Sequence, residues 1–285
     1  MFRAYYRLIK PRVMYGNLIT TVAGFLFAAN GNINWSLFAA TIIGTSLVIS
    51  SACVINNYLD QDIDALMDRT KSRPLITGQV SGQAAIIFGT ALGLIGLAIL
   101  ILLTNLLVTV IGILGWIVYV WLYGALGKRK SVHGTLVGSI SGAAPILAGY
   151  VAVTNSLDVT GALLFAILFF WQMPEFYSIS IFRRNEYAKA NIPVSAVVRG
   201  VPATKRQIFA FTLLTVICSL LLIINGPAGW IYFVVMLALG IRWLQLAAEG
   251  LITRDDSAWA RRNFNYSLIY LVIFSLIISI NPWLP

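Results

Sequence analysis

Between positions 56 and 74 the chain reads NNYLDQDIDALMDRTKSRP, which gathers four aspartates, two asparagines and several cations directly after a long apolar segment. Asn56, Asp60, Asp64 and Asp68 recur every fourth residue, and Asn57, Asp60 and Asp64 follow a three-then-four spacing, so on a helix their oxygens share one face. Like charges this close repel unless a cation lies among them. Hard oxygen ligands that leave coordination positions open suit Mg²⁺, which keeps waters and is completed by substrate phosphates. Asn56, Asp60 and Asp64 are therefore expected to ligate Mg²⁺. Asn56, Asn57, Arg69, Lys71 and Arg73 are expected at the remaining phosphate oxygens. The competing reading is a solvated loop of Arg–Asp pairs. Its placement weighs against that, because the acids follow directly from LVISSACVINNYL and ionisable groups at membrane depth point to function.

A second charged stretch, WQMPEFYSISIFRRNEYAKANIPV, begins inside another apolar segment. Glu175 lies well before that segment ends, and Pro174 loosens the backbone ladder beside it. Glu175 and Glu186 are expected to face the aspartates across a cavity, where one holds a second metal or orients an acceptor. The alternative pairs Glu186 with a neighbouring Arg and Glu175 with an interhelical hydroxyl. Trp171, beside Gln172, is the aromatic most readily placed in the cavity. Lys128, Arg129 and Lys130 offer further phosphate contacts, or simply meet lipid headgroups. Gly134, Gly138 and Gly142 form a small-xxx-small ladder, which reads first as close helix packing. His133, the only histidine, reads as a surface or phosphate-side residue.

Only a membrane bundle accommodates these groups in such a chain. Of 285 residues 59% are hydrophobic and 11% charged, and mean hydropathy is +0.85, which excludes a soluble globular domain. Apolar runs long enough to span a bilayer cover roughly 13–30, 37–58, 83–104, 106–126, 135–153, 159–182, 207–224, 228–248 and 264–282. No alternation at a barrel period is present. The expected fold is all-α: a polytopic bundle of about nine transmembrane helices around a central cavity that opens to the cytoplasmic side. One domain over 1–285 is expected, with four-helix halves at about 13–126 and 135–248 and a ninth helix at 264–282.

The net charge of +10 is explained by topology and needs no nucleic acid. With the N-terminus in the cytoplasm, all 20 Lys and Arg fall on or near that side, and the opposite connections carry one charge, Asp158. Anionic lipid is the partner such a basic face implies. The first apolar run reads as an uncleaved helix in a cell membrane. Cys53 and Cys218 fit no metal-ligand spacing and read as packing residues. The loop TRDDSAWARRN, with adjacent acids but no helical repeat of them, reads as solvated pairing.

An acid cluster ready for Mg²⁺, with cations beside it, at the mouth of a lipid-accessible cavity suits a substrate with a diphosphate head and a long apolar tail. Prenyl diphosphates have that shape. With the leaving group neutralised, the allylic C–O bond ionises and an electron-rich acceptor captures the cation before water does. No Ser/His/Asp constellation is evident.

In its Asn/Asp-rich helix end and Arg73-Pro74, the chain resembles the UbiA-type intramembrane prenyltransferases. That resemblance carries diphosphate and Mg²⁺ binding onto Asn56, Asp60, Asp64, Arg69 and Arg73. LIKPRVMYGNLI, KRKSVHGTLVGSISGAAP and WQMPEFYSISIFRRNEYAKANIPV, over about residues 8–205, further resemble the haem O synthase family. This implies transfer of farnesyl from farnesyl diphosphate to a vinyl of haem B, completed by water, with the product serving terminal oxidases or a further haem-modifying enzyme. Asp60, Asp64, Glu175 and Glu186 are then the catalytic candidates. Lys128 and Arg129 join the diphosphate site, and Asn17, Trp171, Gln172 and Tyr187 form the acceptor pocket. The chain departs from that family at Glu175, where His is usual, and at Ile146, where a second Pro is frequent. A quinone-precursor prenyltransferase, which usually has a second Asp-x-x-x-Asp that is missing here, is the competing enzyme. A transporter or lipid-binding scaffold that uses the same acids for ion coupling is the non-enzymatic alternative.

Overall fold

The structure is a computed structural model and describes residues 1–284. All regular structure among the described residues is helical. A short α1 (Phe2–Leu8) precedes α2 (Pro11–Ala29) and α3 (Trp35–Leu59), and the turn-length α4 (Gln61–Leu66) leads through a loop to α5 (Gly82–Leu103). Next, α6 (Leu106–Ile117) continues without a break through a π-helical stretch (Val118–Gly127) into α7 (Lys128–Lys130). After α8 (Gly134–Thr154) and α9 (Val159–Phe182) come the small α10 (Arg184–Lys189) and α11 (Ser195–Val198). The chain closes with α12 (Val201–Asn225), α13 (Trp230–Ile252), α14 (Asp256–Ile280) and one 3₁₀ turn (Asn281–Trp283).

Nine helices among the described residues are long and apolar enough to cross a membrane, which makes this a multi-pass membrane protein. Their ends are set by short polar side chains. Asn34, Ser81, Asn105, Asp158 and Asp255 accept hydrogen bonds from the first turns of α3, α5, α6, α9 and α14. Asn30 and Asn155 close α2 and α8 in the left-handed conformation that asparagine tolerates.

Two expected boundaries move. The helix expected at 207–224 begins at Val201, because Lys205 is buried within it, pairs with Asp256 and donates to the Thr253 carbonyl at 3.2 Å. Likewise the helix expected at 264–282 begins at Asp256. Residues 256–263, expected as a solvated loop, are two turns of helix in which Trp259 and Asn263 are fully buried. Once paired and capped, charges and indoles can enter a helix that apolar content alone ends too early.

Close backbone contact joins α2 to α8. A Cβ on Gly149 would stand 2.1 Å from the Thr21 carbonyl oxygen, and one on Gly24 would stand 2.1 Å from that of Ile146. Buried polar groups tie the inner helices together, as expected where lipid offers no partner. Trp171 Nε1 donates to the Ser267 carbonyl at 2.8 Å, Trp243 Nε1 to Asn263 Oδ1 at 3.1 Å, and Asn263 Nδ2 to Ser178 Oγ at 2.8 Å. At one end of the bundle the two long charged connections meet: Ile63 and Met67 pack against Ala190 and Ile192.

Candidate active site

Beneath that meeting point lies a cavity of about 550 Å³. Its α3 wall is one stripe, Thr45, Val48, Ile49, Ala52, Cys53 and Asn56, so helical periodicity carries the lining from apolar at depth to polar at the mouth. The α9 wall presents Leu168, Trp171, Gln172 and Glu175 by the same rule. Tyr119 and Tyr123 enter from the π-helical stretch of the fourth span, whose wide turns accompany functional sites in other helices. Gly124 there lets Asn56 approach, since a Cβ would stand 3.0 Å from Asn56 Nδ2.

The aspartate helix face is only partly as the spacing predicts. α3 ends at Leu59 and Asp60 is the joint, yet the Asp60 and Asp64 amides still bond the Asn56 and Asp60 carbonyls at 3.0 and 2.8 Å. Asn56, Asp60 and Asp64 therefore stay together at the mouth, and both aspartates are buried. The chain leaves helical geometry at Met67, so Asp68 turns to solvent and pairs with Lys71 at 2.7 Å, the two side chains being 84% and 62% exposed. Lys71 is thus corrected from phosphate ligand to surface partner of Asp68. Arg73, two residues on, lines the cavity and pairs with Asp64.

Other cations arrive from distant sequence. Lys128 Nζ lies 2.7 Å from Asp60 Oδ2, and Arg69 also lines the mouth. Arg129 does not line it: its guanidinium clamps both Asp62 oxygens at 2.6 and 2.7 Å and the Leu59 carbonyl at 2.6 Å, holding the Asp62 carboxyl down at about 2. Asn57 is also turned away, with its amide donating to the Leu8 carbonyl at 2.7 Å. Glu186 is engaged by Arg183 at 3.0 Å and lies outside the lining, so the pairing alternative describes it and the expected cavity role does not. Asn17, Trp171, Gln172, Glu175 and Tyr187 all reach the cavity. Glu175 has no ion-pair partner among the described residues. Burial raises the Tyr187 phenol above its ordinary value. His133 is exposed, 3.1 Å from an Arg199 nitrogen.

Glycines of the α8 ladder face the cavity in addition to packing. A Cβ on Gly142 would stand 1.9 Å from Gln172 Oε1, and one on Gly138 would stand 3.0 Å from the Tyr123 ring. Bare backbone at these positions lets Gln172 and Tyr123 lie flat against the wall.

Lys10 is a site residue that sequence spacing did not single out. It adopts φ +50° directly before Pro11, a combination disfavoured for both positions, and donates to Asn56 Oδ1. Backbone strain of this kind persists where surrounding structure demands it, often at functional sites. Burial lowers its ammonium to about 8. Arg73 and Lys128 push the same way, while Asp60 and Cys53 oppose them. The signal available in the sequence was a Lys-Pro pair at the head of the first span.

Five cations and three carboxylates line the cavity, a balance that favours a polyanionic headgroup. No cluster of three or more His, Cys, Asp or Glu side chains among the described residues is placed to hold a metal by itself. Asp60 Oδ1, however, is buried without a hydrogen-bond partner. An orphaned carboxylate oxygen beside a second aspartate fits a cation whose coordination is completed by phosphate and water. Asn56 joins such a set only after Lys10 releases its amide oxygen.

A helical bundle that encloses an apolar cavity with an acid- and cation-lined mouth is an intramembrane enzyme for a substrate with a charged head and an apolar body. The chain belongs to the UbiA prenyltransferase family, which residues 17–269 match. It is similar to the protoheme IX farnesyltransferase of Serratia proteamaculans (strain 568), with 43% identity over 99% of this chain and 95% of the relative. It is equally similar, at 43%, to that of Photorhabdus laumondii subsp. laumondii, over 100% of this chain and 97% of the relative. The fold matches a digeranylgeranylglyceryl phosphate synthase structure with TM-score 0.84 at 20% identity, covering 99% of this chain and 98% of that one. An Archaeoglobus fulgidus UbiA homologue bound to GPP and Mg²⁺ matches with TM-score 0.72 at 16% identity, covering 97% and 99%.

Proposed function

We propose that this chain transfers the farnesyl group of farnesyl diphosphate to a vinyl group of haem B, giving haem O and releasing diphosphate. The observation that carries the acceptor is the identity of 42–43% along nearly the entire chain to proteins named protoheme IX farnesyltransferase. The chemistry is supported by the cavity. Arg69, Arg73, Lys128 and Lys10 meet the diphosphate oxygens with charge-assisted hydrogen bonds. Asp60 and Asp64, with Asn56 once Lys10 has moved, would hold Mg²⁺, which when bound neutralises charge on the leaving diphosphate.

As the allylic C–O bond breaks, its electron pair leaves with the diphosphate. The vinyl π electrons form the new C–C bond at C1 of the farnesyl group. Water adds to the carbon left cationic and loses a proton to the released diphosphate or to solvent, so the allylic C–O bond, the vinyl π bond and one O–H bond of water are exchanged for one C–C bond, one C–O bond and the new O–H of the proton acceptor. The apolar walls below Asn56 keep bulk water from the allylic cation until the vinyl group captures it. Asn17 from α2, Trp171, Gln172 and Glu175 from α9, and Tyr187 from α10 orient the acceptor.

The unit of function is one domain, because residues from both expected four-helix halves and from α14 enclose the same cavity. The positive-inside distribution favours a cell membrane location with the N-terminus and the mouth in the cytoplasm. Haem O leaves for a terminal oxidase or a further haem-modifying enzyme. The decisive experiment incubates purified protein with haem B, farnesyl diphosphate and Mg²⁺ and follows the haem pool by mass spectrometry. A haem gaining farnesyl plus water, absent with folded Asp64→Asn, is the expected result. Unchanged haem with intact wild-type protein rejects the acceptor.

A further inference from the structure

Away from the mouth, the cavity wall takes a single side chain from a helix that otherwise stays outside it. Leu100 is the one α5 residue in the lining, and it is fully buried. It reaches the cavity through two glycine notches. A Cβ on Gly44 of α3 would stand 2.5 Å from Leu100 Cδ2, and one on Gly112 of α6 would stand 3.3 Å from Leu100 Cδ1. The backbone beneath it cannot retreat, because α5 is in close contact with α3: a Cβ on Gly96 would stand 3.0 Å from the Gly44 carbonyl oxygen. Nor can Leu100 rotate freely between two walls at native packing density.

We propose that Leu100, with Thr45 beside it, is the floor that sets the length of prenyl chain the enzyme accepts. Along α3 the rise from Thr45 to Asn56 is about 17 Å. An extended farnesyl backbone, with carbon–carbon bonds of about 1.5 Å foreshortened by their zigzag, spans about 14 Å, and a geranylgeranyl backbone about 19 Å. A diphosphate held at the mouth therefore leaves room for three isoprene units above Leu100 and not for four. The lining supports a tail on this path, since the α3 stripe below Asn56 is apolar apart from Cys53 and Thr45, whose hydroxyl donates to the Thr41 carbonyl within its own helix.

The inference rests on the prenyl-transfer reading, and its test needs no acceptor. Binding of geranyl, farnesyl and geranylgeranyl diphosphate with Mg²⁺ is measured by calorimetry on the full chain in detergent, for wild type, Leu100→Ala, Leu100→Val and Thr45→Leu. A methylene of room in an apolar pocket is worth about tenfold or more. Leu100→Ala is expected to shift the geranylgeranyl-to-farnesyl affinity ratio upward by at least about tenfold, with Leu100→Val shifting it less. Thr45→Leu, which raises the floor without touching the α5 contact, is expected to move preference from farnesyl toward geranyl by a similar factor. Wild type binding none of the three diphosphates rejects prenyl transfer itself, and this inference with it. Wild type binding all three equally, or ratios unchanged in folded Leu100→Val and Thr45→Leu, rejects the floor alone and places the tail along another path.

Discussion

Lys128 Nζ stands 2.7 Å from Asp60 Oδ2, joining the end of the fourth span to the end of the second across 68 residues of sequence. The side chains are 18% and 2% exposed, so this is a buried pair at the mouth of the cavity. Breaking such a pair from one side leaves an uncompensated charge and costs about 3–5 kcal/mol. Lys128→Met is therefore expected to lower the thermal midpoint clearly, and the double variant Lys128→Met/Asp60→Asn to recover most of it. Turnover is expected to stay lost in both. Recovery of activity along with stability would show that the pair is structural only.

Lys10 predicts opposite pH trends for binding and for stability. Its ammonium, lowered to about 8 by burial, faces Asp60, Arg73, Lys128 and Cys53. As pH rises through about 8 the cation is lost, so KM for the prenyl diphosphate is expected to rise in that range. Unfolded lysine keeps its proton to about 10.5. Between the two values the unfolded chain binds more protons, so the contribution of Lys10 to stability grows with pH. Kinetics and thermal melting from pH 7 to 10, with Lys10→Met as reference, read the two trends separately. A KM profile identical in wild type and Lys10→Met contradicts the assignment.

Neighbouring cations in the loop after α4 differ sharply. Lys71 and Asp68 form an exposed pair, and exposed pairs contribute about 0–1 kcal/mol. Lys71→Ala is expected to leave both melting and kcat/KM close to wild type. Arg73→Ala removes the partner of buried Asp64 and is expected to lower kcat/KM by at least about tenfold, the equivalent of one 1.4 kcal/mol contact. Similar losses for the two alanine variants would overturn the placement of the loop.

Glu175 faces the cavity from α9 beside Gln172 and lies away from the cations of the cavity mouth in sequence and element. Glu175→Ala is expected to raise KM for haem B, or lower turnover at fixed haem, with little change in farnesyl diphosphate affinity measured by direct binding. Equal losses in both readouts would move Glu175 out of the acceptor pocket and into the diphosphate site.

Sequence alone determined the membrane class, the nine spans and the polar mouth. Each of these is local: a run of apolar residues long enough to span lipid does so wherever it occurs. The recurrence of Asn56, Asp60 and Asp64 also survived, because it depends on one turn of helix after another and the chain stays near helical geometry until Met67. Tertiary structure decided which charges serve the cavity. Lys71 and Arg73 are nearly adjacent, yet the loop turns one to solvent and the other inward, a matter of backbone dihedrals that no spacing rule encodes. Glu186 and Tyr187 divide in the same way on α10. Lys10 reached the site through a left-handed residue before proline, and Leu100 through notches on two other helices. Such arrivals depend on how helices far apart in sequence pack, so they become visible only when the bundle is assembled.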